Sequence, residues 1–171
     1  MTIELEKKWV LKEVPDLTAY GFEVVKAEKI VQSYLSKEER LRIISKPGSK
    51  IKEYLHQTKV KIGEGQSEET SKVITEKEYI KLYKSAYKEL TKVRTTYLNL
   101  ADNFIYEIDH LKFDKPRVDI VLLEIEFQDQ FNDMLAVDVN FNLPEIFDKY
   151  ILADVTDNPY YSNYQLAKAI K

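Results

Sequence analysis

Pairs of like-charged residues, two positions apart, recur inside segments of this 171-residue chain that are rich in Ile, Val, Leu and Tyr. The acidic pairs are Glu4/Glu6, Glu107/Asp109 and Glu124/Glu126. The basic pairs are Arg40/Arg42, Lys59/Lys61 and Lys92/Arg94. Because strand side chains alternate between two faces, each pair points to one side of its strand. Like charges so close repel, so the fold must bring opposite charges, a metal ion or a bound polyanion to them.

Two interpretations fit this alternation. An antiparallel sheet with one solvated face alternates in the same way, and its charges then have no special role. Separation by sign on six segments favours a closed sheet, in which the basic pairs and Lys8 converge on phosphoryl oxygens. Arginine binds phosphate through its bidentate fork, and carboxylate pairs hold divalent ions that also bridge phosphates. The sequence contains no G-x-x-x-x-G-K-[ST] loop, so phosphate binding of the P-loop type is excluded.

The amino-acid composition further limits the kinds of catalytic and metal-binding site that this chain can form. The chain has no cysteine and two histidines, which excludes disulfides, thiolate sites, cysteine nucleophiles and a three-histidine metal site. Any metal must therefore bind carboxylates, which favours Mg²⁺ or Mn²⁺. The net charge of −3 gives no reason to expect a nucleic-acid polymer or a membrane surface as partner. We expect a cytoplasmic protein, because no leader pattern and no membrane-spanning apolar run is found.

The elements that would position these charges are mostly strands. Hydrophobic alternation and turn signals predict strands over 2–11, 30–35, 39–45, 52–62, 69–75, 92–99, 103–111 and 118–128. Helices are predicted over 76–90, 143–149 and 163–170, with a short turn at 15–20. The first helix is expected to begin after Thr75 and to place Ile80, Tyr83, Tyr87 and Leu90 on one face, and the last is expected to be capped by Asn163. The order predicts one α+β domain over 1–171, built on antiparallel sheet.

A series of motifs then falls in a characteristic order along nearly the whole chain. It comprises Glu4-Leu5-Glu6-Lys7-Lys8, Gln32-Ser33-Tyr34-Leu35-Ser36, Arg40-Leu41-Arg42, Lys61 before Gly63 and Gly65, Lys92-Val93-Arg94, Tyr106-Glu107-Ile108-Asp109, Leu123-Glu124-Ile125-Glu126-Phe127, Asp154-Val155-Thr156-Asp157, Tyr161-Ser162-Asn163 and Leu166-Ala167. This series resembles the CYTH superfamily, also called triphosphate tunnel metalloenzymes, whose hallmark is an N-terminal E-x-E-x-K.

The resemblance implies an eight-stranded antiparallel β-barrel tunnel with helices packed outside, a triphosphate-containing small molecule as partner, and Mg²⁺ or Mn²⁺. The implied triphosphate-binding residues are Lys8, Arg40, Arg42, Lys61, Lys92 and Arg94. The implied metal ligands are Glu4, Glu6, Asp109, Glu124 and Glu126, with Glu107 as a further candidate. The implied catalytic residues are Lys92 and Tyr34, in proton transfer, and Glu4 and Glu6, which orient water.

One segment departs from the family pattern. After the glycine turn, relatives carry R-x-E-x-E, whereas this chain has Gln66-Ser67-Glu68-Glu69-Thr70-Ser71-Lys72. We expect Glu69 to replace one acidic residue and Lys59 to supply a basic side chain in place of the arginine. Because of this departure, the family's usual metal arrangement and substrate preference do not carry over directly to this chain. The predicted fold is unchanged.

The leading hypothesis is a divalent-metal-dependent triphosphatase acting on inorganic tripolyphosphate or on a nucleoside or thiamine triphosphate. One alternative is a class IV-type adenylate cyclase that makes cyclic AMP from ATP. Another is a polyphosphate- or nucleotide-binding module with little turnover, which the altered 66–72 segment favours. In each case we expect a monomer or a homodimer.

Overall fold

The computed structural model describes residues 2–113, 119–127 and 141–170. The strands are β1 (Thr2–Leu11), β2 (Phe22–Tyr34), β3 (Glu39–Ser45), β4 (Lys52–Gly63), β5 (Gln66–Ile74), β6 (Lys88–Asn99), β7 (Ile105–Leu111), β8 (Ile120–Glu126), β9 (Ile151–Asp154) and β10 (Lys168–Ala169). The α-helices are α1 (Glu76–Tyr83) and α2 (Asn163–Leu166). Short 3-10 turns span Thr18–Tyr20, Glu145–Phe147 and Pro159–Tyr161.

Eight of these strands form a closed antiparallel barrel. Their order is β6–β2–β3–β4–β5–β1–β8–β7, and β7 pairs back with β6. The short strands β9 and β10 add to β1 and β6. Closure leaves every barrel strand with two hydrogen-bonded neighbours, which removes the exposed edges of an open sheet. The predicted eight-stranded tunnel is therefore confirmed.

The largest apolar core lies outside the barrel wall, because the inward faces carry charge. Leu5, Trp9 and Leu123 point outward and join a buried cluster that segment 141–151 covers. Phe147, in the 3-10 turn of that segment, is 0% exposed. Its ring lies 5.9 Å from Phe22 in a T-shaped contact and 5.9 Å from the stacked ring of Tyr106. The helix predicted over 143–149 is thus only the 3-10 turn Glu145–Phe147.

Helix α1 covers a second part of the wall. Thr75 caps it as predicted, in a capping box with Glu78. The helix buries Tyr79 against Leu41 and Ile74, whereas Ile80 is 56% exposed. The prediction of a helix to residue 90 is wrong, since residues 88–90 pair with β2 as the start of β6.

One end of the tunnel is filled by apolar side chains. Val10, Leu90 and Leu122 lie on the inward faces of their strands, and they pack with residues of the C-terminal segment. That segment contains α2, which begins after a Ser162 cap and ends at Leu166, so the predicted cap at Asn163 and helix to 170 are wrong. The C-terminal segment 155–167 therefore covers this end of the barrel.

Several other boundaries differ from the sequence prediction. Strands β2, β5 and β6 begin earlier than predicted, because pairing with their neighbours extends beyond the alternating segments. Strand β7 is shorter than 103–111, residues 119 and 127 lie outside β8, and the predicted turn at 15–20 is the 3-10 turn Thr18–Tyr20. Residues 118 and 128 of the strand predicted over 118–128 lie outside the described residues. The predicted turn at 114–116 lies outside the described residues. In the described ranges, neither α-helix combines the length and the apolar character needed to span a membrane.

Replacing Phe147 with alanine should lower the free energy of unfolding by about 3–5 kcal/mol, because a fully buried ring leaves a cavity among its neighbours. The matched control is Tyr160→Ala, since Tyr160 is 79% exposed and should change stability by less than about 0.5 kcal/mol. Urea unfolding followed by circular dichroism measures both. Equal stabilities of the two variants would contradict the proposed outer core.

Candidate functional site

The closed barrel brings the predicted charged residues together on its inward face. Alternation along β1, β3, β4, β6, β7 and β8 places every like-charged pair on the side away from the outer core. Neighbouring strands then put opposite signs side by side, as where Arg94 is the register partner of Asp109 and Lys8 that of Glu124. Neutralisation of the like-charged pairs thus comes in part from adjacent strands.

The most deeply buried charges form an ion-pair cluster around Asp109. Lys92 Nζ lies 2.6 Å from Asp109 Oδ2, and both side chains are 0% exposed. Arg94 binds the same carboxylate through Nε at 2.6 Å and Nη2 at 2.8 Å. It also donates to Glu107 and reaches Glu124 at 3.5 Å. Asp109, predicted as a metal ligand, is here held by two cations.

Burial has a strong effect on Lys92. Loss of hydration, together with repulsion by Arg94, lowers the pKa of Lys92 to about 7, although Asp109 opposes this shift. The pKa of Asp109 stays below its usual value, since Arg94 and Lys92 outweigh its own burial. A buried lysine that titrates near neutral pH is suited to proton exchange.

A second set of ion pairs lies beside this cluster. Lys59 Nζ lies 2.9 Å from Glu4 Oε2 and 3.3 Å from Glu6 Oε1. Burial alone would lower the pKa of Lys59, but attraction by Glu6 and Glu4 outweighs burial and raises this pKa above its usual value. Arg40 donates to Gln57 Oε1 at 3.0 Å and pairs with Glu69 at 3.1 Å. Glu69, expected to replace a family acid, therefore neutralises an arginine.

Arg42 differs from the other buried cations. In the described part of the chain it forms no ion pair, and its Nε donates to the neutral Gln32 Oε1 at 2.8 Å. Burial, then repulsion by Arg40 and Arg94, lowers the pKa of Arg42 to about 10. Its positive charge is thus poorly compensated.

Gln32 connects Arg42 to Tyr34, since Gln32 Nε2 donates to Tyr34 Oη at 2.5 Å. Gln32 is 0% exposed and was not among the predicted site residues, although it opens the Gln32–Ser36 motif. Among the described residues, the Lys92 side chain hydrogen-bonds Asp109, and the Tyr34 hydroxyl hydrogen-bonds Gln32. The predicted cooperation of Lys92 and Tyr34 in proton transfer therefore involves no direct hydrogen bond between them.

Two carboxyl groups at the acidic side of the tunnel, those of Glu107 and Glu126, interact with each other. Glu107 and Glu126 are within hydrogen-bonding reach of each other. Burial, followed by repulsion from Glu107, raises the pKa of Glu126 to about 9. Glu107 Oε1 is buried, and no protein N–H or O–H among the described residues donates to it. This oxygen pair fits a hard divalent ion as well as it fits a shared proton.

The remaining acids are not arranged for a metal. Across residues 2–113, 119–127 and 141–170, no group of three His, Asp or Glu side chains is placed to hold a metal ion. Glu4 and Glu6 are bound by Lys59, and Glu124 is bound by Lys8 at 3.1 Å. The donor chemistry therefore does not fit a divalent ion at Glu4 and Glu6, whereas Glu107, although held by Arg94, keeps one oxygen that no N–H or O–H of the described residues occupies.

A cavity of about 480 Å³ adjoins the ion-paired residues of the tunnel. Charged residues of the tunnel line one side, and these are Glu6, Lys8, Arg40, Lys59, Lys61 and Glu124. Tyr34 and residues 155–159 and 162–165 of the C-terminal segment also line it. The volume lies within the usual range for small-molecule sites.

Asp157 fixes the C-terminal segment against the tunnel mouth. Its carboxylate accepts a hydrogen bond from the backbone N–H of Gly65 at 2.7 Å and pairs with Lys61 at 2.8 Å. The Lys61 side chain is 57% exposed, so it lies at the rim of the tunnel. Sequence reasoning did not select Asp157 as a site residue, and its only signal was its place in the Asp154–Asp157 motif.

Comparison with known proteins supports the fold. No family model matches the chain, and no curated protein matches it. The PH1012 protein from Pyrococcus horikoshii OT3 is 18% identical, with a TM-score of 0.50 over 73% of this chain and 78% of that chain.

Two other solved structures are similar at lower scores. The putative adenylyl cyclase HpAC1 from Hippeastrum, described as having a dominant triphosphatase activity, has a TM-score of 0.46 and 13% identity, over 78% of this chain and 82% of that one. A putative adenylate cyclase (bh2851) from Bacillus halodurans has a TM-score of 0.43 and 15% identity, over 84% of this chain and 95% of that one.

The motifs and the geometry agree on one architecture. The ordered motif series lies on the strands of a closed eight-stranded antiparallel barrel, with its charged residues directed inward. The chain therefore has the CYTH-like tunnel fold that the motif series predicts, and this fold is similar to that of the PH1012 protein.

Proposed function

We propose that this protein is a divalent-metal-dependent triphosphatase that hydrolyses inorganic tripolyphosphate or an organic triphosphate inside the charged tunnel. The observation that carries the proposal is the cavity lined by Lys8, Arg40, Lys59 and Lys61. Next to this basic wall, two residues from Arg40 on β3, is Arg42, a buried cation that forms no ion pair with a carboxylate of the described chain.

A polyanion would relieve the repulsion within this basic wall. Arg40 and Arg42 are two residues apart on β3, and Arg94 adds a third positive charge that acts on Arg42. Phosphate oxygens entering between them would accept hydrogen bonds from the guanidinium forks, in place of Gln32 and Gln57. A linear triphosphate carries enough oxygens to bind several of these cations at once.

The reaction requires positioning and charge neutralisation more than covalent chemistry. A water oxygen forms a new bond to the terminal phosphorus while the bridging P–O bond breaks, and the shortened phosphate chain leaves. Glu6 and Tyr34 line the cavity and can hold this water, with Glu6 accepting the released proton and passing it to solvent. The cations neutralise the negative charge that develops on the transferred and leaving oxygens.

Glu107 and Glu126 are the carboxylates we propose as ligands for Mg²⁺ or Mn²⁺. When bound, the ion supplies further neutralisation of the phosphate oxygens. Lys92, whose pKa is lowered to about 7 mainly by burial, is proposed to adjust the charge of the Asp109 cluster as the substrate binds.

The purified protein should release orthophosphate from at least one of tripolyphosphate, ATP and thiamine triphosphate in the presence of Mg²⁺ or Mn²⁺. Addition of EDTA should abolish the release, because the phosphate charge would then lack its divalent counterion. A colorimetric phosphate assay measures this, with chromatography of the ATP reaction to detect cyclic AMP.

The other outcomes assign the alternative functions. Cyclic AMP as the product would identify a cyclase instead. Tight triphosphate binding in calorimetry without turnover would identify a binding module. Either result, or no phosphate release from any substrate, would contradict the triphosphatase.

Replacing Arg42 with glutamine should lower kcat/KM by about 10- to 100-fold, the usual loss for one charge-assisted hydrogen bond to phosphate. The same change should leave the melting temperature unchanged or raise it, because it removes repulsion with Arg40 and Arg94 and breaks no ion pair within the described residues.

The control for this variant is Lys72→Gln, an exposed lysine on the outward side of β5, which should keep wild-type kinetics. Wild-type kcat/KM in the Arg42 variant would show that Arg42 does not bind the substrate.

A further inference from the structure

The Glu4–Glu6 carboxylate pair already has a cation of its own. Both carboxylates point inward from β1, and the Lys59 ammonium lies 2.9 Å from one and 3.3 Å from the other. The three side chains are 20–26% exposed, so the contact is largely shielded from solvent. At these distances the ammonium is close enough to hydrogen-bond both carboxylates.

The strand order explains how Lys59 reaches this pair. Strand β5 lies between β4 and β1, and it carries the small residue Ser67 at the level of Glu4. Lys59 itself is the register partner of Glu69, but Glu69 pairs with Arg40 at 3.1 Å. Because Arg40 occupies the nearer carboxylate, Lys59 extends to the acids on β1.

A divalent ion would compete with this ammonium directly. A cation bridging Glu4 and Glu6 would need the space that Nζ occupies, and a like charge within 4 Å is strongly unfavourable in a poorly hydrated tunnel. Glu107 is also held by a cation, since Arg94 donates to it, although its other oxygen receives no hydrogen bond from an N–H or O–H in the described chain.

We propose that Lys59 is the resident cation of the Glu4–Glu6 pair, standing where a divalent ion would otherwise bind, so that these two carboxylates hold no divalent ion. This deepens the proposed function, on which the use of a divalent ion rests. An ammonium has three N–H donors, so two can bind the carboxylates while the third points to a substrate. Lys59 lines the cavity, so that donor can bind a phosphate oxygen.

The test is a calorimetric titration of the purified full chain with Mn²⁺, without substrate. We expect the Lys59→Gln chain to bind about one Mn²⁺ more than the wild-type chain, because this substitution uncovers an acidic pair. The Glu4→Gln change should leave Mn²⁺ binding unchanged in the wild-type background and remove the gained site in the Lys59→Gln background.

Lys61→Gln is the matched control, because it removes a tunnel lysine whose partner is the single carboxylate of Asp157. It should bind Mn²⁺ as the wild type does. Circular dichroism verifies that each variant is folded, and the Glu4→Gln result in the wild-type background tests the proposal without any change at Lys59.

Loss of an Mn²⁺ site in Glu4→Gln relative to the wild type, or no gained site in folded Lys59→Gln, would each overturn the proposal. Failure of the proposed function is seen separately, as absence of phosphate release from the wild-type chain. The Mn²⁺ counts do not depend on that result.

Discussion

Charge neutralisation in a closed sheet is the constraint on which the rest of this structure depends. Closure of the barrel directs six like-charged pairs into one poorly hydrated space, where an unpaired charge is costly. Adjacent strands meet this constraint by pairing opposite signs, as Arg94 and Asp109 do across β6 and β7. Arg42 is where compensation is weakest, and it stands among the cations proposed to bind phosphate.

The same constraint decides where the apolar cores lie. Since the inward faces hold charge, the outward residues of β1, β7 and β8 must be covered from outside, which segment 141–151 does through Phe147. Apolar inward residues are collected at one end of the tunnel, where the C-terminal segment packs on them. Buried ion pairs contribute little net stability, so the many charges buried inside the barrel are best explained by the ligand that they can bind.

The strands and the inward charges could be predicted from the sequence because alternation is a local property. The end of α1 could not, since residues 84–90 have a helical pattern and only pairing with β2 makes residues 88–90 a strand. The contact of Lys59 with Glu4 and Glu6 was equally hidden, because it crosses an intervening strand. Gln32 interacts with Arg42, and Asp157 interacts with Lys61, and each partner is distant in the sequence. The motifs that contain Gln32 and Asp157 therefore indicate where these residues lie but not what they contact.

The most direct test of this account is a calorimetric titration of the metal-free protein with tripolyphosphate at several salt concentrations. The account predicts saturable binding of about one molecule per chain that weakens steeply with salt, because tunnel cations exchange carboxylates and solvent ions for phosphate oxygens. Binding that is absent, or that sulfate at equal ionic strength abolishes completely, would contradict a tunnel built for a triphosphate.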